Sequence, residues 1–208
     1  DLEIAESVME KVYSNSFYRK HLKTRGNKQI IMLGFSDGTK DGGYLTANWS
    51  IYKAKEKLTK ISRKYNIDIS FFDGRGGPPA RGGGNTNQFY SSLGKQIQAD
   101  EIQLTVQGQT ISSNFGTLQS CRYNLEQLLS ASVNNKLFDS NSHFIDDEDR
   151  ETFNVISKIS HQAYNDFKSH PKFLPYLENM STLKFYAKTN IGSRPSKRKS
   201  SESFDFTS

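Results

Sequence analysis

Two short apolar runs, each emptying into a polar glycine-bearing loop and separated by one long helical pattern, constrain this chain most. The first run is Gln29-Ile30-Ile31-Met32-Leu33-Gly34-Phe35, and the second is Ile67-Asp68-Ile69-Ser70-Phe71-Phe72. Nearly continuous apolar runs of this length are the pattern of strands buried on both faces. Residues 44–64 between them read as a long helix. A strand, loop, helix, strand and loop in that order make a βαβ unit, whose strands run parallel. Parallel strands bring both following loops to one mouth, where α/β folds place their chemistry. The predicted class is therefore α/β.

The second loop points to the ligand. Between Gly74 and Gly84 it holds six glycines with Arg75 and Arg81. Glycine lacks a Cβ and reaches positive φ, so successive backbone N–H groups can close around an anion. Arginine adds a fork-shaped cation suited to phosphate or carboxylate. The loop lacks the Gly-Lys-Ser/Thr of a Walker loop and does not open as a dinucleotide fingerprint. An RGG-type segment that binds RNA loosely is the alternative, but such segments sit in long low-complexity tracts and this loop follows an apolar strand at once. In the absence of an anion the loop over 73–87 is expected to be poorly ordered, its arginines held by little except ligand. Hinges are expected near Gly76-Gly77 or Gly82–Gly84, opposed by Pro78 and Pro79.

Charge and composition agree with an anionic ligand. The 208 residues carry a formal net charge of +6, part of it in Arg194-Pro195-Ser196-Lys197-Arg198-Lys199, and such a balance suits small anions as well as nucleic acid. The hydrophobic fraction, 34%, is low for a self-contained domain. The single cysteine, Cys121, excludes an internal disulfide framework. No apolar run approaches membrane-spanning length. The chain opens on Asp1 with helical periodicity from the start, and reads as a piece of a longer polypeptide.

Residues 2–22 read as one amphipathic helix, Ile102–Val106 as a third strand, and 115–134 and 149–168 as further helices. Residues 36–43 read as a polar loop and 139–148 as an acidic linker. The predicted division is one domain over 1–194 and a flexible Ser/Lys-rich tail over 195–208. Asp37 and Lys40, after the first strand, suit a divalent metal and a substrate anion, or else a solvated loop whose Asp caps the next helix. Gln107 follows the third strand and either points into the mouth or is an ordinary strand-end amide. Arg194 precedes a proline that rigidifies it, and taken alone it reads as a surface arginine. His21, His143, His161 and His170 share no metal-ligand spacing and read as structural or surface residues. Trp49 and Tyr52, on the long helix, read as core.

Four motifs carry a resemblance. Met32-Leu33-Gly34-Phe35-Ser36-Asp37-Gly38-Thr39-Lys40-Asp41-Gly42-Gly43 resembles Met-Leu-Gly-Tyr-Ser-Asp-Ser-x-Lys-Asp-Ala-Gly of the phosphoenolpyruvate carboxylases. The glycine loop is similar to that family's Phe-His-Gly-Arg-Gly-Gly-x-x-Gly-Arg-Gly-Gly-Gly. Thr105-Val106-Gln107-Gly108-Gln109-Thr110-Ile111 resembles its Thr-Val-Gln-Gly-Glu-Val-Ile, and Gly192-Ser193-Arg194-Pro195-Ser196-Lys197-Arg198 its Gly-Ser-Arg-Pro-Ala-Lys-Arg. The motifs stand in the family's order and cover essentially the whole chain.

The resemblance implies a helix-rich partial (β/α) TIM-type barrel with a few short parallel strands, truncated at both ends. It implies a cytoplasmic, allosteric lyase that carboxylates phosphoenolpyruvate with bicarbonate to oxaloacetate and phosphate, feeding the tricarboxylic acid cycle. Mg²⁺ or Mn²⁺ is the implied cofactor, with no organic one. The implied partners are the substrates, the rest of the parent chain and further copies in a homotetramer, with neither nucleic acid nor membrane. Asp37 is implied as a metal ligand, Lys40 as a cation near bicarbonate, and Arg75 as a phosphate clamp. Arg81 is implied on the closing loop, where it also meets a dicarboxylate inhibitor in some members, and Arg194 and Gln107 line the anion pocket. Two departures stand out: the family's loop histidine is Asp73 here, so a histidine role does not carry over, and the third loop glycine is Ala80. An essential histidine, a second metal carboxylate and an arginine-bearing strand of the family would lie outside this sequence, so the isolated chain is expected to be inactive.

Overall fold

The computed structural model describes residues 2–75, 84–106, 108–137, 145–182 and 185. Arg81, Gln107, Arg194, His143, the hinge glycines at 76–77 and 82–83, most of the acidic linker and the 195–208 tail lie outside the described residues. Two compact units divide the chain, Asp1–His161 and Gln162–Ser208.

The first unit opens with a short 3-10 turn (Leu2–Ile4), α1 (Ala5–Ser14) and α2 (Ser16–Thr24). The single helix expected over 2–22 is therefore two. Asn15 breaks it: its backbone is extended, and its side chain accepts the Tyr18 N–H at 3.0 Å to cap α2. Strand β1 (Lys28–Leu33) follows, then α3 (Phe35–Gly42) and α4 (Tyr44–Lys64), then β2 (Asp68–Asp73). The polar loop expected over 36–43 is thus corrected to a helix of about two turns. Phe35 anchors it in the core, and Thr39 Oγ1 donates to the Phe35 carbonyl at 2.8 Å. Gly43, at φ 81°, separates α3 from α4 in a conformation costly for any residue with a Cβ.

α5 (Thr86–Ser91) leads to β3 (Ile102–Leu104), then α6 (Gln109–Phe115), α7 (Leu118–Leu137) and α8 (Asp147–Ser169), which runs into the second unit. α9 (Phe173–Met180) belongs to the second unit, where Phe167 and Phe173 pack edge to face. The sheet order is β1-β2-β3, all parallel, with Leu33 opposite Asp73 and Asp73 opposite Leu104. The three strands therefore end together at one edge of the sheet.

One face of this sheet packs on α4. Leu33, Ile69 and Phe71 meet Ile51, Ala54 and Leu58 of α4, with Tyr90, Leu93 and Ile97 closing the cluster. A second cluster, Tyr13, Leu22, Ile61 and Ile67, seals the opposite end of α4. Trp49 is buried and stacked on Tyr52, as expected of core aromatics. β1 departs from the expectation of burial on both faces: Ile31 joins the core, but Ile30 and Met32 on the other face are exposed. A helix covers one side of this strand, and no described residue covers the other. Among the described residues no helix is long and apolar enough to cross a membrane.

Candidate anion-binding site

The site is built at the carboxyl edge of the sheet, where chemistry-bearing residues follow β1 and β2. After β2 the chain turns sharply through Asp73, Gly74 and Arg75, with the Arg75 N–H donating to the Asp73 carbonyl at 2.7 Å. Gly74 donates to the Leu33 carbonyl at 2.9 Å, and a Cβ there would lie 3.0 Å from that oxygen. The glycine therefore lets the two strand ends approach closely.

Arg75 is buried, 7% exposed. Its guanidinium lies 4.1 Å from the centre of the Phe89 ring and donates from Nη2 to the Asn85 carbonyl at 3.4 Å. Burial pushes its pKa below the usual guanidinium value, opposed by the neighbouring Tyr90, Tyr44 and Asp73. The expectation that little except ligand holds the loop arginines is corrected for Arg75. An aromatic face and a helix-capping segment hold it, which also removes it from any solvated arginine–glycine tract.

Beside it lies a buried charge cluster. Asp73 Oδ2 accepts from Lys55 Nζ at 2.7 Å and from the Tyr90 hydroxyl at 2.8 Å, and the Lys55 and Asp73 side chains are 2% and 1% exposed. The ammonium is ringed by Phe71, Phe89 and Tyr90, whose centroids lie 5.1, 5.4 and 5.9 Å away. Burial holds the Lys55 pKa below its ordinary value, although Asp73 pulls the other way. Burial pushes the Tyr90 phenol up, and Asp73 adds to it. Asp73 is thus committed to two donors at the place where the resemblance expects a histidine.

After β1 the arrangement is different. Asp37 lies in the first turn of α3 and Lys40 in its last. Their side chains pair at 3.0 Å with 81% and 70% exposure. The structure therefore joins these two expected residues to each other and sets them at the same sheet edge as Arg75. His21, His161 and His170 are exposed. No group of three or more metal-ligating side chains occurs among the described residues.

Comparison with known proteins decides the family. The model of the phosphoenolpyruvate carboxylases matches residues 1–206. This chain belongs to the phosphoenolpyruvate carboxylase family. It is 34% identical over 199 residues to a phosphoenolpyruvate carboxylase of Corynebacterium diphtheriae, covering 96% of this chain and 22% of that protein. It is likewise 34% identical over 200 residues to one of Corynebacterium efficiens, with the same coverage. The chain therefore spans about a fifth of the length of these relatives.

Sequence reasoning missed Lys55, Phe89 and Tyr90 as neighbours of Asp73 and Arg75 at this edge. The signal for Lys55 was present. It lies four residues after Ile51 and three before Leu58 on the buried stripe of α4, and a lysine on an apolar stripe needs a buried acceptor. Phe89 and Tyr90 carried no such signal, because α5 is short and follows the glycine loop.

Proposed function

We propose that this chain supplies the phosphate- and bicarbonate-handling edge of a phosphoenolpyruvate carboxylase. It acts there as part of a longer polypeptide, assembled as a homotetramer in the cytoplasm. The reaction joins bicarbonate and phosphoenolpyruvate to give oxaloacetate and phosphate. The β1-β2-β3 sheet with its covering helices forms part of a (β/α) barrel, and residues 1–194 are its domain. The observation that carries this reading is Arg75: a buried guanidinium, fixed on Phe89, at the same strand edge as Asp37 and Lys40.

The roles follow from charge and placement. Bicarbonate attacks the phosphoryl group and the P–O bond to the enol breaks, leaving carboxyphosphate and the enolate of pyruvate. Carboxyphosphate then splits at its C–O bond into CO₂ and phosphate, which keeps the bicarbonate proton, and the CO₂ adds to the enolate carbon. Both intermediates are anions, so fixed cations lower the barriers by electrostatic preorganisation. Arg75 clamps the phosphoryl oxygens, and burial strengthens that interaction because water does not screen it. Lys40, on the exposed face of α3, exchanges its contact with Asp37 for bicarbonate. Arg81 closes over carboxyphosphate, and Gln107 and Arg194 complete the anion pocket.

Asp37 supplies a hard carboxylate ligand for Mg²⁺ or Mn²⁺, ions commonly held by one or two carboxylates together with substrate oxygens. That single carboxylate fits the ion as one ligand of several, and the others would come from substrate, water and the longer polypeptide. When bound, the ion neutralises charge on the phosphoryl and enolate oxygens. Because the ligand set is shared in this way, the isolated chain is inactive.

The test is steady-state kinetics of the longer polypeptide, with oxaloacetate coupled to NADH oxidation. Arg75→Ala and Lys40→Ala should each lower kcat/KM by about a hundredfold or more, the scale on which a preorganised charge acts. Retention of wild-type turnover by both variants would refute the reading.

A further inference from the structure

The buried cluster around Asp73 has no place in the chemistry just described, yet it is the most tightly made polar feature at the site. A single oxygen, Oδ2, takes hydrogen bonds from two elements, Lys55 of α4 and Tyr90 of α5. The other, Oδ1, is buried and makes no hydrogen bond among the described residues. A buried ion pair of this kind is at best weakly stabilising compared with apolar packing, and an unsatisfied buried acceptor costs stability. Stability alone therefore does not explain the arrangement. What the cluster does is geometric. It ties the last residue of β2 to α4 and α5 at one atom.

The consequence reaches Arg75 through α5. Tyr90 adjoins Phe89, whose ring carries the guanidinium at 4.1 Å, and the Asn85 carbonyl that Arg75 contacts belongs to the N-cap residue of the same helix. α5 is held on its other side by α7: Asn135 donates to the Tyr90 carbonyl at 2.6 Å, and Asn87 to the Gln127 carbonyl at 2.8 Å. Those contacts fix α5 against α7; among the described residues the Asp73–Tyr90 bond joins the middle of α5 to the end of β2, and the Arg75–Asn85 contact meets only its N-cap. Arg75 stands two residues beyond Asp73 on that strand end. Its register against Phe89 and Asn85 therefore depends on where Asp73 holds α5.

We infer that Lys55 and Asp73 are positioning residues for the anion site, their buried ion pair fixing through Tyr90 the α5 platform that presents the Arg75 guanidinium. The inference rests on the proposed role of Arg75 as phosphate clamp. It assigns Asp73 a load of orientation and no proton transfer. Lys55 and the Tyr90 hydroxyl both donate to the same carboxylate oxygen, so the strand end, α4 and α5 meet at one atom.

The test uses the longer polypeptide and removes the pair as a unit, with Lys55→Met and Asp73→Asn combined, so that no charge is left buried alone. The double variant should raise KM for phosphoenolpyruvate and the inhibition constant of inorganic phosphate together, each by about tenfold, the scale on which misplacing a clamp acts. KM for bicarbonate and the thermal midpoint should stay near wild type. A merely structural role would lower the midpoint and leave the ratio of the two KM values unchanged. Wild-type phosphate affinity in the folded double variant overturns the inference. Should the double variant not fold, Tyr90→Phe keeps both charges and deletes one donor. It should raise the same two constants about threefold, and unchanged constants there also overturn the inference. Failure of the wild-type polypeptide to form oxaloacetate would sink the proposed function itself. An active wild type with unaffected variants would sink the positioning role alone.

Discussion

The ends of β1 and β2 carry the same pair of side chains in opposite settings. Asp37 and Lys40 meet at 3.0 Å in water, and Lys55 and Asp73 at 2.7 Å out of it. In water such a contact contributes little, because solvent screens the charges and ordering two side chains costs entropy. Away from water each ion has lost its hydration and depends on its partner. In the function proposed above the two ends divide the work: the exposed β1 pair exchanges its contact for substrate or metal, and the buried β2 pair fixes geometry. Arg75 sits between these regimes, buried on Phe89 yet next to the glycine loop.

The largest expected difference is in stability. Lys55→Ala leaves the Asp73 carboxylate buried with one donor fewer and should cost about 3–5 kcal/mol, read from urea unfolding of the chain. The double substitution Lys55→Met with Asp73→Asn should recover most of that loss. A Lys55→Ala variant within about 1 kcal/mol of wild type would show that water reaches Asp73, and the contrast between the two ends would collapse.

How much of this contrast was legible in the sequence depends on range. Both strands, the α4 helix and the parallel order followed from apolar runs and helical spacing, which are local patterns. The placement of Asp37 and Arg75 at one edge followed from parallel topology. The helicity of α3 was hidden because its Asp, Gly and Thr residues favour turns, and the core anchor Phe35 overrides them. The exposure of Ile30 and Met32 was hidden because an apolar strand reads the same whether or not a second layer covers it. The burial of Arg75 was hidden for a different reason. Its support comes from Phe89 and Asn85, across a loop whose glycines suggest freedom, and no local pattern reports a contact of that span.

A mid-sized effect should appear at alkaline pH. Burial, reinforced by Asp73, holds the Tyr90 phenol above its ordinary value of 10.0, so the unfolded chain gives up this proton first. The contribution is fully present below pH 10 and is lost as pH rises above it, with a slope approaching about 1.4 kcal/mol per pH unit for one proton. Lys55 acts with the opposite sign. Its depressed pKa means that the unfolded chain binds more protons just below 10.5, so its term rises with pH in that window. Tyr13 and Tyr52 are raised by burial and share the sign of Tyr90. Comparing wild type with Tyr90→Phe between pH 9 and 11 cancels these common terms. The variant should start about 1 kcal/mol less stable and lose stability less steeply, and parallel slopes would show that the phenol is not sequestered.

The smallest effect belongs to the exposed pair, and its smallness is the point. Asp37→Asn removes one ion from a contact that solvent already screens. The cost to folding should lie within about 0.5 kcal/mol, and it should shrink further as salt is raised, since the Debye length falls to roughly 3 Å at 1 M. In the longer polypeptide the same substitution should weaken activation by Mg²⁺ strongly, because a neutral amide is a poorer ligand for a hard cation than a carboxylate. The two readouts must therefore separate: unfolding by urea hardly moves, while the Mg²⁺ concentration needed for half-maximal turnover rises by about tenfold or more. If unfolding shifted by several kcal/mol instead, Asp37 would be a folding residue like Asp73. The two strand ends would then be one kind of site and not two.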